Sequence, residues 1–482
     1  MSIQTETAPP AAPARLREID ELPGPRGLPI VGNALQFEPA RMHQQVERWV
    51  REYGPYFSFR IGPRRLLVLA DHAAMGAVMR DRPDGFRRTK RLAEITAEIG
   101  SAAVGVFGAE GEAWKRQRKM VMAGFDPRHL RAYFPSLVKV SERLAGRWSR
   151  AADAAAPIDL QGDLMRYTVD TVSGLAFGAE VNTLESDDDV IQRHLDKIFP
   201  AIFRRIMAAV PTWRWWKSAA DRELDQSVAA ISVAIQGFVA AARKRLEDPA
   251  RRAAPTNLLE AMIVAADDPQ SGITPSEIHG NVLTMLLAGE DTTANTLAWA
   301  IWLLYQHPAS FARARAEVDA HVGDLASSTI DNFAKLGYVE ACANETLRLR
   351  PVVPFLMLQA LRETSVAGIR VPADTLIWGA LRTDSMRQEY FEEPDRFKPE
   401  RWLDADAAHS ASSANRVAMP FGAGPRVCPG RHLAMLEIKM ALAVLVGRFD
   451  IVSVTANSGG EPAEELAFTM SPEPLTLRLR RR

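Results

Sequence analysis

The sequence predicts a mainly α-helical fold with a small β component. Three observations carry this. A segment of about thirty residues between Thr274 and Pro308 has helix-start and helix-stop signals around an apolar body. The region from about Ala73 to Arg251 is mostly helical in pattern, broken by alanine-rich stretches such as Ala151 to Pro157. Strand patterns are confined to residues 56–69 and to the chain's end, after Phe449.

The elements follow in order. Residues 1–21, with Pro9-Pro10 and Ala-Pro repeats, read as a flexible tail. Leu22-Pro23-Gly24-Pro25-Arg26-Gly27-Leu28-Pro29 is a turn-rich hinge that can be neither helix nor strand. A helix is expected near Arg41 to Glu52. Tyr56 to Ile61 and Leu66 to Leu69, separated by Gly62-Pro63, read as a β-hairpin. In the long helix, Thr274-Pro275-Ser276-Glu277 is a capping box with Pro at the first helical position, and Pro308 stops the run. At 1.5 Å per residue the rod is about 45 Å long. Glu290 and Asp291 interrupt its apolar body, which argues against a membrane span. Asp404 to Ala418 reads as an irregular loop, and alternation such as Leu475 to Arg482 predicts a minor sheet. With no internal repeat, residues 22–482 form a single domain.

Composition narrows the function. The 482 residues carry a formal net charge of zero, so no global field points to nucleic acid. Cys342 and Cys428 are the only cysteines, which excludes a disulfide framework and a four-cysteine zinc site and fits a reducing compartment. The first twenty residues lack the apolar run of a secretory signal or membrane anchor, so a soluble cytoplasmic protein is expected. The nine histidines show no metal-ligand spacing.

Chemistry concentrates in Phe421-Gly422-Ala423-Gly424-Pro425-Arg426-Val427-Cys428-Pro429-Gly430. A loop this rich in Gly and Pro can wrap a large flat ligand and turn its amides toward the sulfur. Those amides, and the N-terminus of the apolar helix that follows, favour Cys428 as a thiolate. Thiolate is the electron-donating axial ligand that equips haem iron to cleave an O–O bond. A second constellation, Ala288-Gly289-Glu290-Asp291-Thr292-Thr293, lies inside the long helix. Ala and Gly permit close approach to a flat ligand, while threonine hydroxyls can divert backbone hydrogen bonds, so a locally opened turn is expected. An Asp-Thr pair there suits proton delivery to activated oxygen.

Further motifs stand in order along the chain: Trp114-Lys115-Arg116-Gln117-Arg118, Glu345-Thr346-Leu347-Arg348, and Phe397-Lys398-Pro399-Glu400-Arg401-Trp402. With the Phe-x-x-Gly-x-Arg-x-Cys-x-Gly pattern at Cys428, the chain resembles the cytochrome P450 family, from the Pro-Gly hinge to the last strand, in its soluble bacterial form. The resemblance implies the fold of that family, with haem b between the long distal helix and the Cys428 loop. Cys428 would be the iron ligand, and Phe421, Gly424 and Gly430 would shape its loop. Ala288 and Gly289 would face the haem, with Asp291 as acid and Thr292 as alcohol. Trp114, Arg118 and Arg426 would meet the propionates, and Glu345, Arg348 and Arg401 would form a structural network. Two departures are visible. Gln359 stands where many relatives carry a propionate-binding Arg, with Arg362 a candidate replacement, and Ser385-Met386-Arg387-Gln388 replaces the usual His-Arg-Asp-Pro.

The implied activity is a monooxygenase that activates O2 with two externally supplied electrons and hydroxylates or epoxidises a lipophilic small molecule. Fatty acid, terpene, steroid and polyketide all remain open. By position the pocket walls are Phe107, Thr284, Val353, Phe355, Met357, Phe468 and Met470, and Trp213-Arg214-Trp215-Trp216 belongs to lid loops. A separate ferredoxin or flavodoxin with its reductase would supply electrons, docking on Lys115, Arg116, Lys119, Arg431 and Lys439 of a monomer. A peroxide-driven peroxygenase or isomerase, and a non-enzymatic haem-thiolate sensor or carrier, are the alternatives. Neither needs the Asp291–Thr292 pair.

Overall fold

In the computed structural model, residues 15–99, 105–125, 127–186, 190–403 and 414–482 are described. The long helix runs Pro275–Gln306. Its capping box is complete: the Thr274 hydroxyl accepts from the Glu277 amide at 3.2 Å, and the Glu277 carboxylate accepts from the Thr274 amide at 2.8 Å. The helix packs against Leu160–Phe177, Gly337–Leu349 and Arg431–Arg448. Its C-terminal half is buried on every side, and Leu297, Ala298, Trp299 and Ile301 join Leu164, Tyr167, Leu442 and Leu445 in the largest core. Each such side chain contributes roughly 1.5–3 kcal/mol through burial.

The expected opened turn at Thr292 is absent. The helix is continuous, because the hydroxyls of Thr284, Thr292 and Thr296 add bonds to carbonyls four residues back without displacing the helical ladder.

A five-stranded sheet has the order Tyr56–Ile61, Arg64–Leu69, Leu376–Ala380, Phe355–Ala360, Phe86–Arg88. The pair Arg64–Leu69 with Leu376–Ala380 is parallel and the rest antiparallel. The chain's end forms a three-stranded sheet, Ile158–Asp159, Leu475–Arg481 and Phe449–Ala456. A short hairpin, Glu464–Leu466 with Met470–Pro472, leans on the long helix. Its anchor is buried: Glu464 accepts from Arg382 and lies 2.8 Å from the His43 ring, tying the hairpin to helix Met42–Tyr53.

Two expectations need correction. Residues 15–21 are not a tail: Arg17 exchanges backbone bonds with Gly368 and Arg370, both 2.9 Å, and Ile19–Glu21 form a helical turn. Residues 1–14 lie outside the described residues. In the expected loop from Asp404 to Ala418, residues 404–413 also lie outside them, but Ala414–Ala418 is helical. One described helix, Ala219–Arg245, is long and apolar enough to cross a membrane by length and composition. It instead packs on Val190–Leu195 and on the long helix, burying Leu224, Ile231 and Ile235.

Candidate active site

Cys428 ends a loop whose geometry is set from several sides. Its amide donates to the Phe421 carbonyl at 3.0 Å, closing the loop on itself. Gly424 has φ of +70°, and a Cβ there would lie 2.4 Å from the Met79 carbonyl, so only glycine allows both the turn and the packing. Gly430 caps the helix Arg431–Arg448. The amides of Gly430 and Arg431 point at the sulfur and, with the charges of Arg118 and Arg431, favour the thiolate. Burial is the largest influence, however, and leaves the thiol above its ordinary range. A coordinated metal ion overrides that balance by deprotonating the thiol outright. Cys342 is buried without such donors and burial pushes its thiol up further, as befits a core residue.

Midway along the long helix lies a short accessible segment. Ala288 is exposed and Leu287, Asp291 and Thr292 are half-buried, although Leu286 and Ala294 to either side are fully buried. This marks accessible space beside the middle of the helix. Gly289, in the same segment, is also half-buried, but the direction its missing Cβ would take is closed off. A Cβ at Gly289 would lie 2.6 Å from Val172, so the glycine serves the crossing with helix Leu160–Phe177. Thr292 donates to the Ala288 carbonyl at 2.7 Å. Asp291 accepts from Asn295 at 2.9 Å through one oxygen and from the Thr469 hydroxyl through the other. Burial raises its pKa, and these two donors oppose the rise.

The cationic wall is larger than the sequence suggested. The Arg426 guanidinium stacks over Trp114, 4.6 Å from the ring centre, and donates to the Ala109 carbonyl and the Glu110 carboxylate. Arg118 donates to the Val427 carbonyl at 2.7 Å, so its observed bond holds the cysteine loop. Arg82 and Arg88 join this wall. Burial, reinforced by Arg426, lowers Arg82 to about 10, and burial, Arg82 and Arg426 drive Arg88 well below its ordinary value. The Glu110 carboxylate opposes both shifts, and it also opposes the lowering of Arg426. Arg82 Nε and Nη2, Arg87 Nε and Arg426 Nε are buried without partners. Mutually repelling guanidinium groups with unused N–H donors fit a bound dianionic group. A haem, with two propionates and an iron for Cys428, has that chemistry.

Arg82 and Arg88 were missed because neither belongs to a spaced motif. The available signal was the run Arg87-Arg88 on a strand that pairs with Gln359. Gln359 accepts from Arg87 and from the Lys90 amide and donates to Asp374. Arg362 is no substitute, because it pairs with Asp81 at the surface.

The other expected residues are distributed as follows. Phe107 lies under the Arg88 guanidinium at 3.5 Å and faces Phe468 at 6.0 Å between ring centres. Thr284 meets the backbone of the 105–109 loop. Val353 is exposed, and Phe355 and Met357 are half-buried near Trp378. Met470 is fully buried among Met42, Trp49 and Phe57, so it is core rather than pocket wall. Trp213 is buried and donates to Glu98, whereas Trp215 and Trp216 are exposed. Lys439 does not belong to a docking face. It is buried, donating to the Phe333 carbonyl and paired with Glu340.

Glu345 receives Arg348 through both oxygens at 2.9 Å, Arg401 at 3.0 Å, the Trp402 indole at 2.8 Å and the Lys398 amide at 2.9 Å. Although burial opposes it, these donors hold its carboxyl below the usual range.

The family model for Cytochrome P450 matches residues 22–479. The chain belongs to the cytochrome P450 family. It is 27% identical to the putative cytochrome P450 cyp-13B1 of Caenorhabditis elegans, covering 95% of this chain and 94% of that one. It is 25% identical to a self-sufficient cytochrome P450 monooxygenase of Aspergillus niger, over 91% of this chain but 41% of that one. The crystal structure of the cytochrome P450DA heme domain superposes with a TM-score of 0.82 at 22% identity, covering 97% and 98% of the two chains. The protein is therefore a cytochrome P450 monooxygenase with a haem-thiolate cofactor, and its mainly helical fold is that of the family.

Proposed function

We propose that this cytochrome P450 binds haem b through the Cys428 thiolate and hydroxylates or epoxidises a lipophilic small molecule, as a cytoplasmic monomer served by a separate ferredoxin or flavodoxin and its reductase. One oxygen atom of O2 enters the substrate and the other leaves as water, taking up two electrons and two protons. When bound, the haem supplies the oxygen-activating chemistry. The protein supplies the rest. Amides at Gly430 and Arg431 steady the thiolate, Trp114 with Arg82, Arg88 and Arg426 would hold the propionates, and Asp291 and Thr292 hold protons beside the accessible space. The observation that carries the reading is the set of buried, unpartnered arginine N–H groups beside Arg426 in the Cys428 loop, and the accessible Ala288 segment of the long helix agrees with it.

The half-buried Phe107 and Phe468 rings support an apolar substrate. The exposed cations Lys115, Arg116, Lys119 and Arg431 support an acidic electron donor, although Lys115 and Arg116 already pair with Glu112 and Glu277. The fused arrangement of self-sufficient relatives is the alternative supply.

The test is spectroscopic. The reduced carbon monoxide complex should show the red-shifted Soret band of thiolate ligation, and Cys428→Ser should abolish it while haem remains bound. A thiolate band that survives in Cys428→Ser would reject the assignment. Titration of the ferric protein with fatty acids, terpenes, steroids and macrolides, read as a low-to-high-spin shift, then selects the substrate class.

A further inference from the structure

The turn between the strands Glu464–Leu466 and Met470–Pro472 joins two parts of the site that the mechanism treats separately. Phe468 stacks on Phe199 with ring centres 4.9 Å apart and faces Phe107. Its neighbour Thr469, buried, donates its hydroxyl to Asp291. Phe468 has φ of +95°, a conformation a bulky side chain adopts only when its surroundings impose it. The surroundings are identifiable. The Ala467 amide donates to the Thr469 carbonyl at 3.0 Å, the Met470 amide donates to Val352 at 2.8 Å, and the aromatic stack clamps the ring.

We propose that Thr469 is a positioning residue for Asp291, and that the Phe468 stack controls it, so that a substrate displacing the ring changes the setting of the acid. This rests on the functional reading above. A strained residue with one neighbour in the pocket wall and another on the proton donor is poised to transmit a small displacement. Relaxing φ at Phe468 reorients the next peptide and draws the Thr469 hydroxyl from the carboxylate. Asn295, one helical turn on, keeps its bond to the other oxygen, so the acid pivots rather than losing both partners.

The ionisable groups of the neighbouring elements have partners of their own, although one buried oxygen of Glu437 has none. Asp170 on helix Leu160–Phe177 is bound by Thr183 and Leu184, and Glu437 on Arg431–Arg448 is bound by Thr293. On the hairpin, Glu464 is held by Arg382 and His43, and Glu465 faces solvent. Glu290 precedes Asp291 on its own helix, and no charged group figures in the shift of Asp291.

The test follows the carboxylic acid C=O infrared band of Asp291 in the haem-loaded protein as pH is varied, assigned by its loss in Asp291→Asn. Thr469→Val removes a donor to the charged form and should raise the midpoint by about one pH unit. Thr469→Ser should restore the parent value. Phe199→Ala, which touches neither residue of the bonded pair, should raise the midpoint in the parent and have no effect on top of Thr469→Val. An unchanged midpoint in Thr469→Val, or equal Phe199→Ala shifts in both backgrounds, would overturn the proposal. The carbon monoxide spectrum of each variant separates the two readings: loss of thiolate ligation in the parent counts against the haem-thiolate assignment, whereas the infrared midpoint judges the turn alone.

Discussion

Around Glu345 one buried carboxylate takes five hydrogen bonds from Arg348, Arg401, Trp402 and the Lys398 amide, and Arg348 spends its remaining donors on the Ser385 and Arg396 carbonyls. Around Trp114, Arg82, Arg88 and Arg426 gather on one acid, Glu110, and four buried N–H positions there and on Arg87 have no partner. Both clusters are buried charge, yet only the first is complete. A complete network specifies the fold, whereas an incomplete one with an excess of positive charge suits an anionic ligand. The difference supports the proposed cofactor wall without reference to any motif.

The comparison is broken most forcefully at its complete end. Glu345→Ala leaves Arg348 buried and unpaired, which costs about 3–5 kcal/mol. Set against a typical stability of about 5–15 kcal/mol, this should remove a large share of the folding free energy. Soluble yield and chemical denaturation of the haem-free chain are the measurements. A variant that folds as well as the parent would mean that the network is not what locks this region.

At the incomplete end the expectation reverses. Arg82→Met removes an unsatisfied charge, so the haem-free protein should keep or gain stability. Haem retention should fall, because a propionate partner is gone, with transfer to apomyoglobin accelerated about tenfold, equivalent to ~1.4 kcal/mol. Loss of stability in the haem-free state with unaltered haem transfer would place Arg82 among the structural residues instead.

The same contrast explains what could be read from the sequence. Cys428, Thr292, Glu345 and Trp114 sit at fixed spacings because local geometry requires it: a loop before a helix, one helix face, an i and i+3 pair. The long helix was legible to within a residue at each end, since its capping box and Pro308 are local signals. Arg82, Arg88 and Glu110 were not legible, because they meet only through contacts distant in sequence, such as the Arg88 amide and the Arg426 guanidinium on the Glu110 carboxylate. Met470 was misjudged for a related reason. Its position was right, but which neighbours it faces depends on a hairpin register fixed by tertiary packing. Lys439 likewise looks like a surface cation until the packing of its helix buries it.

The finest form of the contrast lies between two buried acids with opposite shifts. Glu345, held by donors, is lowered from 4.5, and Asp291, dominated by burial, is raised from 3.8. For Glu345 the folded state favours the charged form. Its contribution is therefore fully present above the ordinary value of 4.5 and is lost as pH falls through the lower folded value. For Asp291 the folded state favours the neutral form. That contribution is present below 3.8 and is lost as pH rises through the raised folded value. Relative to Asp291→Asn, the parent should thus lose stability on going from acid to neutral pH, whereas relative to Glu345→Gln it should gain. Denaturant titrations of the three proteins over roughly pH 3 to 8 decide it. Parallel curves for parent and Asp291→Asn would show that Asp291 is as well solvated as an ordinary carboxylate, and its place as a buried proton carrier beside Thr292 would fall.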